Sequence, residues 1–209
     1  MSNYQVLLRV SEKLRDTLWS AFQQENSTII TNAQQIAFTN PKETARNSSQ
    51  RLSLWLYRVT EDEFLKNQPM ERVNVQRTNG RDSDAERVDR TAPLALNLFY
   101  LLTPMASLSN PSEVESDLLV LGRALQALYD NAIIPLHTPS ETIVEELRVI
   151  LCRLSLDELT KVWEALQEPY RLSVCYQVRV TRIDSTRQRG ARRVTDRQGQ
   201  FGDLPVSEE

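Results

Sequence analysis

The sequence predicts an α+β fold: one domain in which a mixed or antiparallel sheet is covered by about three helices. Three observations carry that expectation. Two alternating segments, Arg51-Leu-Ser-Leu-Trp-Leu-Tyr-Arg-Val59 and Pro93-Leu-Ala-Leu-Asn-Leu-Phe-Tyr-Leu-Leu-Thr-Pro104, read as strands that are apolar on both faces. Segments with helical spacing lie before, between and after further strand-like runs. A chain of 209 residues is also long enough to bury a core as a single domain.

The elements follow in order. Ser2 and Gln5 are spaced as a capping box, and Leu7, Val10, Leu14 and Leu18 recur at helical spacing, so a helix is expected from about Asn3 to Gln24. A short strand is expected at 35–38, ended by Asn40-Pro41, with the polar stretch Lys42–Gln50 after it. In the strand at 51–59, period two groups Leu52, Leu54 and Leu56 on one face and Trp55, Tyr57 and Val59 on the other. Residues Glu61–Thr91 are almost wholly polar, with Asn79-Gly80 as the clear turn signal, and read as a long loop of the kind that is usually functional or mobile. In the strand at 94–103, Leu94, Leu96, Leu98 and Tyr100 share a face, with Phe99 and Leu101 opposite.

Asn110-Pro111-Ser112-Glu113 is a helix start, with a cap, a proline at the first position and an acid in the first turn. Leu118, Leu121, Leu125 and Leu128 continue it to Asp130-Asn131, with Gly122 on the same stripe as a point of close approach for a strand. Ala132–Pro139 reads as a loop. Ile143–Leu151 fits either element by spacing, and the β-branched run ending at Cys152 favours a strand near 146–152. Ser155 and Glu158 form a capping box, Leu154 and Leu159 a hydrophobic staple, and Leu159, Val162, Trp163 and Leu166 an apolar stripe that Pro169 stops. The last strand spans 170–183, with Leu172, Val174, Tyr176, Val178 and Val180 alternating against Ser173, Gln177 and Arg179. From Asp184 apolar residues nearly vanish, and 184–209 reads as a flexible arginine-rich arm after a domain of 1–183.

Composition narrows the function. With 40% hydrophobic and 25% charged residues, a net charge of −3 and negative mean hydropathy, the chain has ordinary globular composition. No apolar run approaches the ~20 residues of a membrane span, and the start lacks the pattern of a secretory signal, so assembly in the cytoplasm is expected and no membrane contact. Positive charge is mostly arginine, with lysine only at 13, 42, 66 and 161, and arginine forks suit protein interfaces. In a reducing compartment Cys152 and Cys175 read as buried small hydrophobes; a disulfide requires their two strands to be neighbours. With one histidine and no CxxC pair, no zinc site is expected, and no cofactor motif occurs. His137, beside Thr138, Ser140 and Glu141, reads as a loop residue more readily than as a base, and Asp82, Asp84 and Glu86 as a solvated loop. No catalytic residue is assigned, and the chain reads as a scaffold or assembly protein, not an enzyme.

The two opening strands, together with Leu121-Gly-Arg-Ala-Leu-Gln-Ala-Leu-Tyr-Asp130 and Tyr170-Arg-Leu-Ser-Val-Cys-Tyr-Gln-Val-Arg-Val180, make the chain resemble the cap, or tail-terminator, proteins of bacterial extracellular contractile injection systems of the Photorhabdus virulence cassette and antifeeding prophage type. The resemblance implies a tail-terminator-like fold. It also implies a ring, as a homo-hexamer, at the baseplate-distal end of a phage-tail-like particle, whether released or retained in the cell. Such a ring binds the last sheath layer and the inner tube and stops their polymerisation. Partner contacts are expected from the arginines of the loop, last strand and arm: Arg72, Arg77, Arg81, Arg87, Arg179, Arg182, Arg187, Arg189, Arg192, Arg193 and Arg197. The arm, or the edge of strand 170–183, is expected to add a strand to a neighbour's sheet. The alternative is a nucleic-acid-binding or head–tail completion protein using the arm, although the arm's single aromatic, Phe201, makes nucleic acid the weaker partner.

Overall fold

The computed structural model describes residues 4–24, 29–66, 71–75, 86–90, 92–105, 111–137, 143–185 and 188–190. The chain divides into two compact units, Met1–Asn67 with Pro93–Asp184, and Gln68–Ala92 with Ser185–Glu209. The α+β expectation is met, with four α-helices among the described residues where about three were expected.

The larger unit is built on a six-stranded sheet of order β1-β2-β5-β8-β7-β6. Its strands are β1 (Ile36–Ala37), β2 (Leu52–Glu61), β5 (Leu94–Pro104), β6 (Ile133–His137), β7 (Ile143–Leu151) and β8 (Val174–Ile183). Only β1 and β2 are parallel; every other neighbouring pair is antiparallel. Helices α1 (Val6–Gln24) and α3 (Pro111–Asp130) cover one face. There Val10, Leu14, Leu18 and Phe22 of α1 and Ala124, Ala127 and Leu128 of α3 meet Leu52, Leu54, Leu98, Tyr100, Leu102, Leu147, Tyr176 and Val178 in one core. Tyr100 is wholly buried, and its hydroxyl lies 2.8 Å from Ser11 Oγ, so the one polar atom of a large core side chain is satisfied. Helix α1 carries no base in its last turn. Arg123 of α3 supplies one from outside, donating to Ala21 O at 2.8 and 3.2 Å, where the helix has carbonyls without intrahelical partners.

The opposite face is covered at one end by α2 (Pro41–Ala45) and α4 (Leu156–Leu166). Ser53 donates to Thr39 O at 2.8 Å, and Trp163, 2% exposed, donates its indole N–H to Ser173 Oγ at 3.2 Å. Lys42 of α2 donates to Leu166 O and pairs with Glu168, tying the two short helices together. Helix α4 starts at the Ser155–Glu158 capping box, as the sequence predicts. It ends at Gln167, which adopts a left-handed conformation at φ 54°, two residues before the proline expected to stop it.

Four readings of the sequence are corrected. Asn40-Pro41 starts helix α2, with Asn40 Oδ1 accepting from Glu43 N at 2.9 Å: the cap–proline–acid pattern recognised at Asn110 operates here too. The loop before Ile143 contains strand β6, which tolerates Pro135 because it lies at the sheet edge. Leu118 is 55% exposed and Gly122 meets nothing within reach of a methyl group, so the buried stripe of α3 runs through Val120, Leu121, Ala124, Ala127 and Leu128 instead. Alternation fails in β8, where Leu96 pairs with Thr181 but Leu98 with Val178. The extra residue reverses parity and leaves Thr181 fully buried.

The smaller unit contains a three-stranded antiparallel sheet of β3 (Glu71–Val75), β4 (Glu86–Arg90) and β9 (Gln188–Gly190), in the order β3-β4-β9. Polar residues 61–91 therefore supply two strands where a loop was expected, and the start of the arm supplies the third. The Ser2 cap, the Asn79-Gly80 turn, the Asn110 cap and Phe201 lie outside the described residues.

Truncating either face of the large sheet tests its two-sided core. Leu98→Ala should cost about 2–5 kcal/mol and Trp163→Ala about 3–5 kcal/mol in urea unfolding. A loss below about 1 kcal/mol for Trp163→Ala would mean that α4 does not hold its face.

Candidate functional site: an assembly surface on the half-covered sheet face

Past the end covered by α2 and α4, the second face of the sheet carries aromatic and arginine side chains. A register shift between Leu56 and Arg58 makes Tyr57 an extra residue in β2. The bulge aims two consecutive side chains at one partner: the Tyr57 ring lies 6.5 Å from that of Phe99, and the Arg58 guanidinium stands 5.3 Å over the same ring. Trp55 extends the cluster, 6.0 Å from Tyr57. Across the sheet the row continues from Arg58 through Phe99 and Gln177 to Ile150, which is 43% exposed. In the next row Arg148 faces Arg179 directly. Trp55, Tyr57 and Phe99 are half-buried, while Arg58 and Arg148 are exposed. Aromatics and arginines around a partly apolar patch are the composition of protein interfaces.

Like charges directly opposed across a ladder repel, and one carboxylate offsets this pair. Asp62, 1% exposed, follows β2 and lies 3.4 Å from Arg179 Nη2. Its carboxylate also accepts from Asn97 Nδ2 at 3.1 Å and from the Phe64 and Leu65 amides at 3.0 and 3.2 Å. Burial opposes its charge, but the bonds from Asn97, the Leu65 and Phe64 amides and Arg179 outweigh it and hold the carboxyl below the usual carboxylate range. Arg179, expected as a partner contact, thus also serves as a strut within the fold.

The other expected arginines divide by position. Arg72, Arg87 and Arg189 lie on the strands of the three-stranded sheet, where the register sets Arg72 opposite Asp89 and Asp89 opposite Arg189. Arg182 is exposed on β8. Arg77, Arg81, Arg187, Arg192, Arg193 and Arg197 lie outside the described residues. Arg58 and Arg148 were missed. The signal that could have found them is an arginine inside an otherwise apolar strand, where a charge survives only at an exposed position. Strand β8 pairs with β5 and β7 on its two sides, so it offers no edge for strand addition; β1 and β6 are the edges of the large sheet.

Among the described residues no cluster of catalytic side chains accompanies this surface. His137 closes β6, and its neighbours Thr138, Ser140 and Glu141 lie outside the described residues, as do Asp82 and Asp84. Among the described residues no cluster of histidine, cysteine and carboxylate could hold a metal ion. A shallow crevice of about 220 Å³ is lined by Lys13, Asp16, Thr17, Ser20, Ala21, Gln24 and Asn131. Its Thr17 and Ser20 hydroxyls donate to the carbonyls of Lys13 and Asp16, which leaves no activated nucleophile there.

A model of the Pvc16 N-terminal domain family matches residues 9–197. The chain belongs to that family. Among solved structures, this Pvc16-family chain is similar to the PVC sheath/tube terminator of an extracellular contractile injection system in its extended state. That similarity has 18% identity and a TM-score of 0.57 over 100% of this chain and 67% of the terminator, and establishes a shared fold. The tube-terminating cap of the anti-feeding prophage matches at 18% identity and a TM-score of 0.47, over 79% of this chain and 54% of the cap. No curated protein matches. The resemblance read from the strand and helix motifs is borne out.

The Asp62 site sets a pH dependence. A carboxyl whose folded pKa is depressed contributes stability above its unfolded value of about 3.9, and that stability is lost as pH falls through the folded value. Asp62→Asn should cost about 2–4 kcal/mol at neutral pH, because it leaves Arg179 without its carboxylate. It should also flatten the loss of stability below about pH 4. Urea unfolding across pH reads both, and an unchanged acid limb in the variant would show that Asp62 does not carry it.

Proposed function

We propose that this Pvc16-family chain is a structural cap, or terminator, of a phage-tail-like contractile injection system. It would bind the last tube and sheath layers at the baseplate-distal end and stop their polymerisation. The observation that carries the reading is the family match over residues 9–197, and the fold shared with a sheath/tube terminator supports it. The role asks for surface chemistry and no catalytic group. A ring of six copies, assembled in the cytoplasm on a finished tube end, completes the proposal. Among the described residues no helix is long and apolar enough to cross a membrane. The nucleic-acid and head–tail completion alternative draws no support from the comparisons.

Two surfaces are assigned to partners within this proposal. The half-covered face around Arg58, Phe99, Arg148 and Ile150 takes a partner whose acidic side chains meet the exposed Arg58 and Arg148. The three-stranded sheet, with Arg72, Arg87 and Arg189, is the second, together with the remaining arm arginines. Strand addition, proposed for the arm, is directed here to β9 or to the edge strand β6.

Two experiments separate these surfaces, each read by particle length in electron micrographs of cells relying on the altered chain. Arg58→Glu with Arg148→Glu should leave a folded protein and yield tubes and sheaths of uncontrolled length. Ending the chain at Asp184, which keeps the six strands of the large sheet but removes β9, should do the same. Normal-length capped particles from either variant would remove that surface from the proposal.

A further inference from the structure

We propose that Cys152 and Cys175 form a peroxide-reactive dithiol that closes into an intrachain disulfide. The ladder pairing Leu151 with Tyr176 continues by one residue, and Cys152 N–H donates to Cys175 O at 2.8 Å. The two cysteines are therefore directly opposed across an antiparallel pair. Such residues hold their Cα atoms about 4.5–5.5 Å apart, inside the ~4.4–6.8 Å that a disulfide spans. Both are free thiols; Cys175 is buried and Cys152 is half-buried. Their side chains hydrogen-bond to each other, and Tyr57 Oη lies 3.2 Å from Cys175 Sγ.

The surroundings divide the work between the two sulfurs. The hydrogen bond from Cys175 holds the Cys152 thiol below its ordinary value, against burial and with help from the Gln177 backbone N–H. The same bond, with burial, pushes Cys175 up. Cys152, the more exposed of the two, loses its proton first and meets the oxidant. Its thiolate attacks one oxygen of hydrogen peroxide, breaking the O–O bond, forming a sulfenic acid and releasing hydroxide. The Cys175 sulfur then attacks the Cys152 sulfur. The S–S bond forms, the S–O bond breaks, and the departing hydroxide takes the Cys175 proton as water. Two electrons from the dithiol thus reduce one peroxide to water. The bond closes the loop 152–175, which holds the whole of α4 and the Trp163–Ser173 contact that covers this face of the sheet.

The purified full chain is treated with hydrogen peroxide, blocked with an alkylating agent and digested with trypsin without reduction. The expected result is peptide 149–153 linked to peptide 172–179, with the intact mass reduced by two hydrogens. A rise in Tm of about 5–10 °C should accompany it, be reversed by dithiothreitol, and be absent from Cys152→Ser. That variant removes the half-buried partner and leaves the buried Cys175 in place. Sulfinic acid at Cys152 with Cys175 still alkylatable, or a disulfide joining two chains, would overturn the proposal. Linked peptides without a Tm change would overturn the stapling of α4.

Discussion

Strand β5 has almost no wet surface, and the rest of the large unit is arranged around that constraint. Leu98, Tyr100 and Leu102 face α1 and α3, while Leu101 and Thr103 on the opposite side are equally inaccessible. A strand buried on both faces must lie inside its sheet and needs a layer on each side. Both conditions hold: β5 sits between β2 and β8, and the long helices cover the core residues of one face. Among the described residues, the helices on the other face reach only as far as α2 and α4. What remains exposed there, the row from Arg58 to Ile150, follows from the mismatch between a broad apolar face and two short helices.

The two bulges decide what that exposed region contains. Without the extra residue at Tyr57, strict alternation would send Tyr57 and Arg58 to opposite faces, and only one could reach Phe99. The extra residue in β8 interrupts the pairing beside Asn97 and Arg179, where Asp62 is received. Asp62 then acts on three elements at once, binding Asn97 of β5, Arg179 of β8 and the turn amides at Phe64 and Leu65. A buried carboxylate with these partners ties the end of β2 to β5 and β8.

Much of this was legible in advance. The capping box at Ser155, the helical stripe of α1 and the alternation of β5 are local patterns that depend on neighbours within a few residues. Strands β3, β4 and β9 were not legible, because Val73, Val75 and Val88 are too few apolar residues for periodicity to register. The register there sets Glu71 opposite Arg90 and Arg72 opposite Asp89 across 17 to 19 residues of chain, and the third strand comes from the far end of the sequence. The expected partner arginines illustrate the same limit. Charge marks a residue as surface-seeking, but whether it meets a partner or a carboxylate of its own chain depends on what the fold places beside it.

The sequence by itself determined the class of the fold, the positions of the main strands and three of the helices, the lack of any catalytic motif and the family resemblance. These rest on periodicities of two and 3.6 and on caps, all short-range physics. Only the tertiary structure decided strand order and register, the parity reversals at the bulges, the strut between Asp62 and Arg179, and the pairing of Cys152 with Cys175. Each of these depends on contacts between residues far apart in the chain. Their energies are set by burial and by the partner opposite, and no local pattern encodes either.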